Sequence, residues 1–101
     1  MTITRTQENE TVTLELAGRL DSLTYLELSN ELDAIFSGGA FHLVLDFSQV
    51  DYVSSAGLRV VVSAQKKVTA VSKTLVLRGM SFAVRDVFVM TGLSSVLTIV
   101  D

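Results

Sequence analysis

The 101-residue sequence contains no cysteine and no proline, and it has a single histidine. Without cysteine the chain forms no disulfide, has no thiol nucleophile and offers no thiolate to a metal, which is compatible with the cytoplasmic location that we expect. Without proline there is no cis-proline turn and no polyproline linker. One imidazole, His42, is too few for a zinc-type ligand set. Walker and dinucleotide-binding glycine patterns are also missing, so we expect neither metal nor cofactor.

Basic residues and long apolar runs are scarce as well. The net charge is −3, and Lys66-Lys67 is the only adjacent basic pair. A nucleic-acid partner is not expected, because phosphate backbones require a basic patch. No apolar stretch approaches the roughly 20 residues that span a bilayer, and the N-terminus lacks the basic start and apolar run of a signal peptide. We therefore expect no membrane insertion.

The apolar residues that are present, 49% of the chain, suffice for one packed domain over residues 1–101. After a short first strand, Thr2–Arg5, and a polar turn, Val12, Leu14 and Leu16 alternate with polar residues, as in a half-buried strand. The run from His42 to Phe47 is almost continuously apolar, which predicts a strand covered on both faces. Two further strands are predicted at Thr74–Leu77 and Val96–Val100.

Helical spacing predicts three helices between these strands. Tyr25, Leu28, Leu32 and Ile35 form one apolar stripe, and Gly38-Gly39 supplies a left-handed stop. At the start of this helix Thr24 and Glu27 form a potential capping box, with Asp21 or Ser22 as alternative caps.

The second helix follows an expected loop at Ser48–Tyr52. Val60-Val61-Val62 also fits a strand, but we favour a helix that begins at Ser54-Ser55 with Ser55 as its N-cap. Ser81 is expected to cap a third helix that runs to Met90, and Gly92 to end it.

A strand–helix–strand series implies parallel strands joined by right-handed crossovers. The predicted fold is therefore α/β: a mixed four- to five-stranded sheet with an N-terminal hairpin and with helices packed on it. The exposed first strand would allow pairing with a second copy, so a homodimer is possible.

An enzyme is not expected. A serine nucleophile needs a base within hydrogen-bonding reach, and His42 lies at the opposite end of the strand that precedes Ser54 and Ser55. The local sequence also lacks the glycine of a nucleophile elbow.

A different chemistry suits the serine pair. The first turn of a helix has unpaired amides and a partial positive charge, so it tolerates a phosphate. Phosphorylation adds about −1.5 to −2 charges, and burying that dianion against a partner costs several kcal/mol. A phosphate here would leave the fold intact and eject a partner that covers the site.

The segment Leu43-Val-Leu-Asp-Phe-Ser-Gln-Val-Asp-Tyr-Val-Ser-Ser-Ala-Gly-Leu-Arg59 resembles the signature of STAS domains in bacterial anti-sigma factor antagonists. Ala17-Gly-Arg-Leu-Asp21 and Phe88-Val-Met-Thr-Gly-Leu93 are similar to two further family segments, so the resemblance covers essentially the whole chain. It implies a STAS-type fold and a protein that, when unphosphorylated, binds an anti-sigma factor that is also a serine kinase. The resemblance further implies that phosphorylation releases that partner and that a phosphatase resets the switch.

By motif position the resemblance places the phosphate on Ser55, with Ser54 as the alternative. Sporulation-type members have aspartate where this chain has Ser54, which bears on the identity of the kinase. Asp21 resembles a partner-facing position but also suits a turn or cap. The partner-binding residues implied are Asp21, Ser54, Ser55, Ala56, Gly57 and Leu58. The alternative function is a constitutive STAS subunit of a stressosome-like scaffold or of a lipid or anion transport complex, docked through an exposed face around Ser54 and Leu58.

Overall fold

A computed structural model describing residues 1–101 contains one five-stranded sheet, three α-helices and a 3₁₀ turn. In chain order these are β1 (Thr2–Glu8), β2 (Thr11–Leu20), α1 (Tyr25–Ser37), β3 (His42–Val53), α2 (Ser55–Ala70), β4 (Leu75–Arg78), α3 (Phe82–Met90), the 3₁₀ turn (Leu93–Ser95) and β5 (Thr98–Val100). The strands lie in the order β1-β2-β3-β4-β5. The first pair is antiparallel and the other three are parallel, so the predicted mixed sheet with an N-terminal hairpin is confirmed.

The opening hairpin is longer than its sequence pattern indicates. β1 pairs with β2 from Thr2 to Glu8, beyond the predicted end at Arg5. Only two residues turn the chain, and Asn9 takes a positive φ of 55° there, a conformation that asparagine tolerates better than most residues. The polar residues before the turn therefore belong to the strand ladder, because backbone pairing does not depend on their side chains.

Only one face of the sheet carries the core. Leu14, Leu45 and Leu77 are register partners across β2, β3 and β4, and each is 0% exposed. Their chain neighbours Val44 and Val76 lie on the other face and are half-buried. The prediction that β3 is covered on both faces is therefore wrong: its apolar run includes residues of an open face.

Each helix buries one side against this sheet face. The apolar stripe of α1 is confirmed, since Leu28, Leu32 and Ile35 are buried. The valine-rich segment is helical, as predicted, and α2 buries the side that contains Val61 and Val68. In α3 the ring of Phe88 meets that of Phe47 edge-on, with centroids 6.1 Å apart.

The ends of α1 differ in detail from expectation. Thr24 is the N-cap residue, but its side chain makes no capping hydrogen bond and the box with Glu27 does not form. The Thr24 hydroxyl instead donates to the carbonyl of Arg19 at 2.6 Å. At the other end Gly38 has an ordinary φ of −91°, and Gly39 takes the positive φ, 149°.

Residues Ser48–Tyr52, expected to form a loop, belong to β3. The strand continues to Val53 because β2 pairs with it along its whole length, through register shifts between Glu15 and Ala17 and between Gly18 and Arg19. The α3 boundaries agree with the prediction: Ser81 Oγ accepts from the Val84 amide at 3.2 Å, and Gly92, with a φ of 78°, follows the helix. None of the helices combines the length and hydropathy needed to cross a membrane.

Candidate functional site

The candidate site lies where β2 and β3 end side by side. Leu20 and Val53 are the last register partners of these parallel strands, so the residues that follow, Asp21 and Ser54, leave the same edge of the sheet. The Ser54 amide donates to the Leu20 carbonyl at 2.9 Å. The parallel pairing thus brings together the two segments that the sequence analysis selected.

The N-cap of α2 is Ser54, and Ser55 is the first helical residue. The expectation that Ser55 is the N-cap is therefore wrong by one position. Ser54 has the extended backbone of an N-cap, with ψ of 176°, but its side chain makes no capping bond. Its Oγ is buried and has no hydrogen-bond partner. The first turn of α2 consequently lacks a side-chain acceptor for its amides.

Exposure separates the predicted site residues. Ser55 is exposed and Ala56 is half-buried, whereas Gly57 is buried. Leu58 is 8% exposed and belongs to the hydrophobic core. The expectation that the Leu58 side chain is part of an exposed face around Ser54 is therefore wrong. Ser55 is the member of the serine pair whose side chain is open to another macromolecule.

Asp21 organises the turn that precedes α1. Its carboxylate accepts from the amides of Leu23 at 3.0 Å and Thr24 at 3.2 Å and pairs with Arg19 Nε at 3.2 Å. The hydrogen bond from Leu23 is the largest cause of the lowered pKa of Asp21; burial opposes it, and bonds from Arg19 and Thr24 reinforce it. With a side chain only 14% exposed, Asp21 matches the turn interpretation.

Asp46, on β3, braces the backbone in a similar way. Its Oδ1 accepts from the Ser48 amide at 2.8 Å, and its Oδ2 pairs with Arg78 Nε at 3.1 Å. Burial raises the pKa of Asp46, but the hydrogen bonds from Ser48 and the Arg78 charge outweigh it, so the net shift is downward.

Two grooves run along α2 and share Arg59 and Ser63. The α1–α2 groove, about 510 Å³ in volume, is lined by Ser22, Tyr25, Ser29, Ala56, Arg59, Val60 and Ser63. The α2–α3 groove, about 550 Å³, is lined by Ser55, Leu58, Arg59, Val62, Ser63, Lys66, Thr91 and Leu93. Ser55 therefore lies at the head of the second groove, between α2 and the turn that follows α3.

The sequence analysis did not select two residues of this surface, Arg59 and Leu93. Arg59 ends the quoted signature and follows Ser55 by one helical turn, a spacing that places the two side chains on one face. Leu93 reaches the groove only through the fold.

His42 is distant from the serines in the topology. It begins β3, whereas Ser55 follows the end of that strand. Its Nδ1 lies 3.1 Å from the Thr74 amide, which donates to it, and 2.9 Å from Thr74 Oγ1. The imidazole thus ties the start of β3 to the start of β4. No group of three or more His, Cys, Asp or Glu side chains is arranged to hold a metal ion.

Comparison with known proteins places this geometry in a family. The family model described as "Mlab, STAS domain" matches residues 3–100. The chain belongs to the STAS domain family. It is 37% identical over 86 residues to BtrV of Bordetella bronchiseptica, a candidate anti-sigma factor antagonist, covering 85% of this chain and 74% of BtrV. It is 29% identical over 93 residues to the anti-sigma-B factor antagonist of Listeria monocytogenes, covering 92% and 82% of the two chains.

A solved structure with the same fold is the Bacillus cell fate determinant SpoIIAA in its phosphorylated form. The TM-score is 0.76 at 24% sequence identity, covering 99% of this chain and 92% of SpoIIAA. Membership of this family agrees with the prediction that the chain is not an enzyme.

Proposed function

We propose that this STAS domain is a cytoplasmic anti-sigma factor antagonist that works as a phosphorylation-controlled binding switch. Unmodified, it binds an anti-sigma factor that is also a serine kinase, and so frees a sigma factor. Phosphorylation of Ser55 releases the kinase, and a phosphatase restores binding. The observation that carries the proposal is the exposed side chain of Ser55 at the first position of α2, at the head of the α2–α3 groove. The names of the relatives support the same function.

Burial favours Ser55 over Ser54 as the modified residue. A kinase must bring the serine oxygen into line with the γ-phosphate of ATP, and Ser54 Oγ is buried. Phosphorylating Ser54 would require the head of α2 to separate from Leu20, whose carbonyl holds the Ser54 amide at 2.9 Å. Ser55 is accessible without any rearrangement of the backbone.

A phosphate on Ser55 would affect the fold and the complex in opposite directions. At the first position of a helix, negative charge is stabilising by about 0.3–1 kcal/mol, and α2 has neither an acidic residue in its first turn nor a side-chain cap. Covered by a partner, the same dianion loses hydration at a cost of several kcal/mol. Since each 1.4 kcal/mol is about tenfold in affinity, loss of the complex without unfolding is expected.

The test is a phosphorylation and binding series with the anti-sigma factor kinase of the same organism. The purified chain and its S54A and S55A variants are incubated with kinase and ATP, and intact mass with peptide mapping locates the phosphate. We expect modification of wild type and S54A but not S55A. S55A should bind the kinase as wild type does and resist release, and S55D should bind about 100-fold more weakly, equivalent to about 2.7 kcal/mol.

Two results would contradict the proposal in different ways. A chain that the active kinase neither binds nor modifies is not its antagonist. If the S55D variant and the phosphorylated chain both bind the kinase as well as the unmodified chain does, the chain is a constitutive subunit, as in the stressosome-like or transport-complex alternative.

A further inference from the structure

The positive charges of the chain are unevenly neutralised. Of its eight lysine and arginine residues, six form ion pairs with carboxylates within the chain. These are Arg5, Arg19, Lys67, Lys73, Arg78 and Arg85. The two that form none are Arg59 and Lys66, and both line the α2–α3 groove. In a protein of net charge −3, this groove is the place where exposed cations lack partners of their own.

Apolar side chains separate the two cations. Arg59 and Lys66 are seven residues apart on α2, two helical turns or about 10.5 Å along the axis. Val62 lies between them in the sequence of α2, and Leu93, from the turn after α3, lines the same groove. Along α2 the groove therefore presents two cations, Arg59 and Lys66, separated by the apolar side chain of Val62.

We propose that the α2–α3 groove binds an acidic amphipathic segment of the partner protein. Two of its carboxylates, about 10 Å apart along the groove, pair with Arg59 and Lys66, and an apolar side chain between them contacts Val62 and Leu93. Electrostatic complementarity of this kind selects partners and speeds their association. The inference rests on the proposed function and specifies the chemistry of the surface that the switch exposes or blocks.

Arg59 links this surface to the phosphate. It follows Ser55 by four residues, the spacing at which oppositely charged side chains on a helix interact, and both line the groove. A guanidinium pairs with phosphate through two hydrogen bonds. A phosphate on Ser55 would therefore take Arg59 from the partner's carboxylate and repel that carboxylate as well.

The experiment compares three variants that each remove one positive charge from α2. R59Q and K66Q remove the groove cations, whereas K67Q removes a cation that pairs with Asp33 at 2.6 Å outside the groove. Affinity for the anti-sigma factor kinase is measured by calorimetry at two salt concentrations, and circular dichroism verifies folding. We expect R59Q and K66Q to weaken binding about tenfold, with a reduced salt dependence, and K67Q to stay within about twofold of wild type.

A second readout follows the phosphorylated protein alone by ³¹P NMR. Free phosphoserine has its second pKa near 6, and Arg59 should hold that pKa lower in wild type and in K67Q than in R59Q.

The two levels of the proposal fail separately. If wild type neither binds the kinase nor is modified, the proposed function fails and the inference with it. If wild type binds but R59Q and K66Q lose no more affinity than K67Q, the acidic-segment inference alone is overturned. If the phosphate titrates identically in R59Q and wild type, competition for Arg59 is overturned.

Discussion

Gly57 of α2 lies directly against Leu20, the last residue of β2. A Cβ atom on Gly57 would lie 2.7 Å from Leu20 Cγ and 2.8 Å from the Leu20 carbonyl oxygen. The same oxygen accepts a hydrogen bond from the Ser54 amide. The head of α2 is therefore fixed to the sheet by close backbone packing, and this contact determines where the exposed Ser55 is presented.

G57A should therefore destabilise the protein although alanine is the better helix former. The new methyl group meets backbone, which cannot move aside as a side-chain tip can. Overpacking typically costs about 1–3 kcal/mol against a propensity gain of about 1 kcal/mol, so we expect a net loss of up to about 2 kcal/mol in the free energy of unfolding by urea. G38A is the matched control, because its Cβ would lie 3.5 Å from the nearest atom, Ile35 O. Equal effects of the two substitutions would contradict this interpretation of Gly57.

Much of the fold can be predicted from periodicity, because a helix or strand that buries one side has apolar residues at regular spacing. The alternation at Val12–Leu16 and the stripe of α1 both predicted their elements correctly. The end of β3 was not predictable in this way. Residues Ser48–Tyr52 are mostly polar, and they are strand only because β2 runs beside them and supplies backbone partners. Pairing between distant segments leaves no local pattern.

The site was predictable in place but not in detail. Motif resemblance selected the segment around Ser55, yet the N-cap is Ser54. The amino-acid sequence does not specify at which of the two adjacent serines the backbone changes from extended to helical. Likewise, the isolation of Arg59 and Lys66 depends on where every carboxylate lies in three dimensions, so sequence spacing alone does not reveal it.

Two N-cap serines offer a direct comparison of capping. Ser81 Oγ accepts from the Val84 amide at 3.2 Å, whereas Ser54 Oγ is buried without a partner. S81A should lower the free energy of unfolding by about 1 kcal/mol, the usual value of an N-cap. S54A should cost nothing measurable or be slightly stabilising, because it removes an unsatisfied buried hydroxyl. Urea unfolding of both variants checks this, and a loss in S54A as large as in S81A would refute the assignment.

The turn held by Asp21 predicts a pH dependence of stability. Hydrogen bonds from Leu23, Arg19 and Thr24 outweigh burial and lower the pKa of Asp21 in the folded protein, whereas the unfolded value is about 3.9. Because the pKa of Asp21 is lower in the folded than in the unfolded protein, its ionised carboxylate stabilises the fold at pH values above the unfolded pKa. This stabilisation is lost as the pH falls through the folded pKa.

D21N isolates this contribution. Its stability deficit relative to wild type should be constant above about pH 5 and should shrink below about pH 4. Other carboxylates with lowered pKa values, Glu10 and Asp46, occur in both proteins and cancel in the difference. Urea unfolding from pH 7 to acid measures it; curves that remain parallel throughout would show that Asp21 has no such role.

A negative charge at Ser55 should raise the free energy of unfolding of the isolated domain, without any partner present. The first turn of α2 contains no acidic residue, so S55D should raise the free energy of unfolding by about 0.3–1 kcal/mol at low salt through the helix dipole. The matched substitution is S63D, also at an exposed serine of α2 but two turns further along, where that interaction has faded. Aspartate has poor interior helix propensity, which opposes the ion pairs that S63D can form with Arg59 and Lys66, so S63D should gain less stability than S55D. Added salt should reduce the gain in S55D by screening. If S55D is less stable than S63D at low salt, the head of α2 does not accommodate a negative charge, and phosphorylation there would disturb the domain itself.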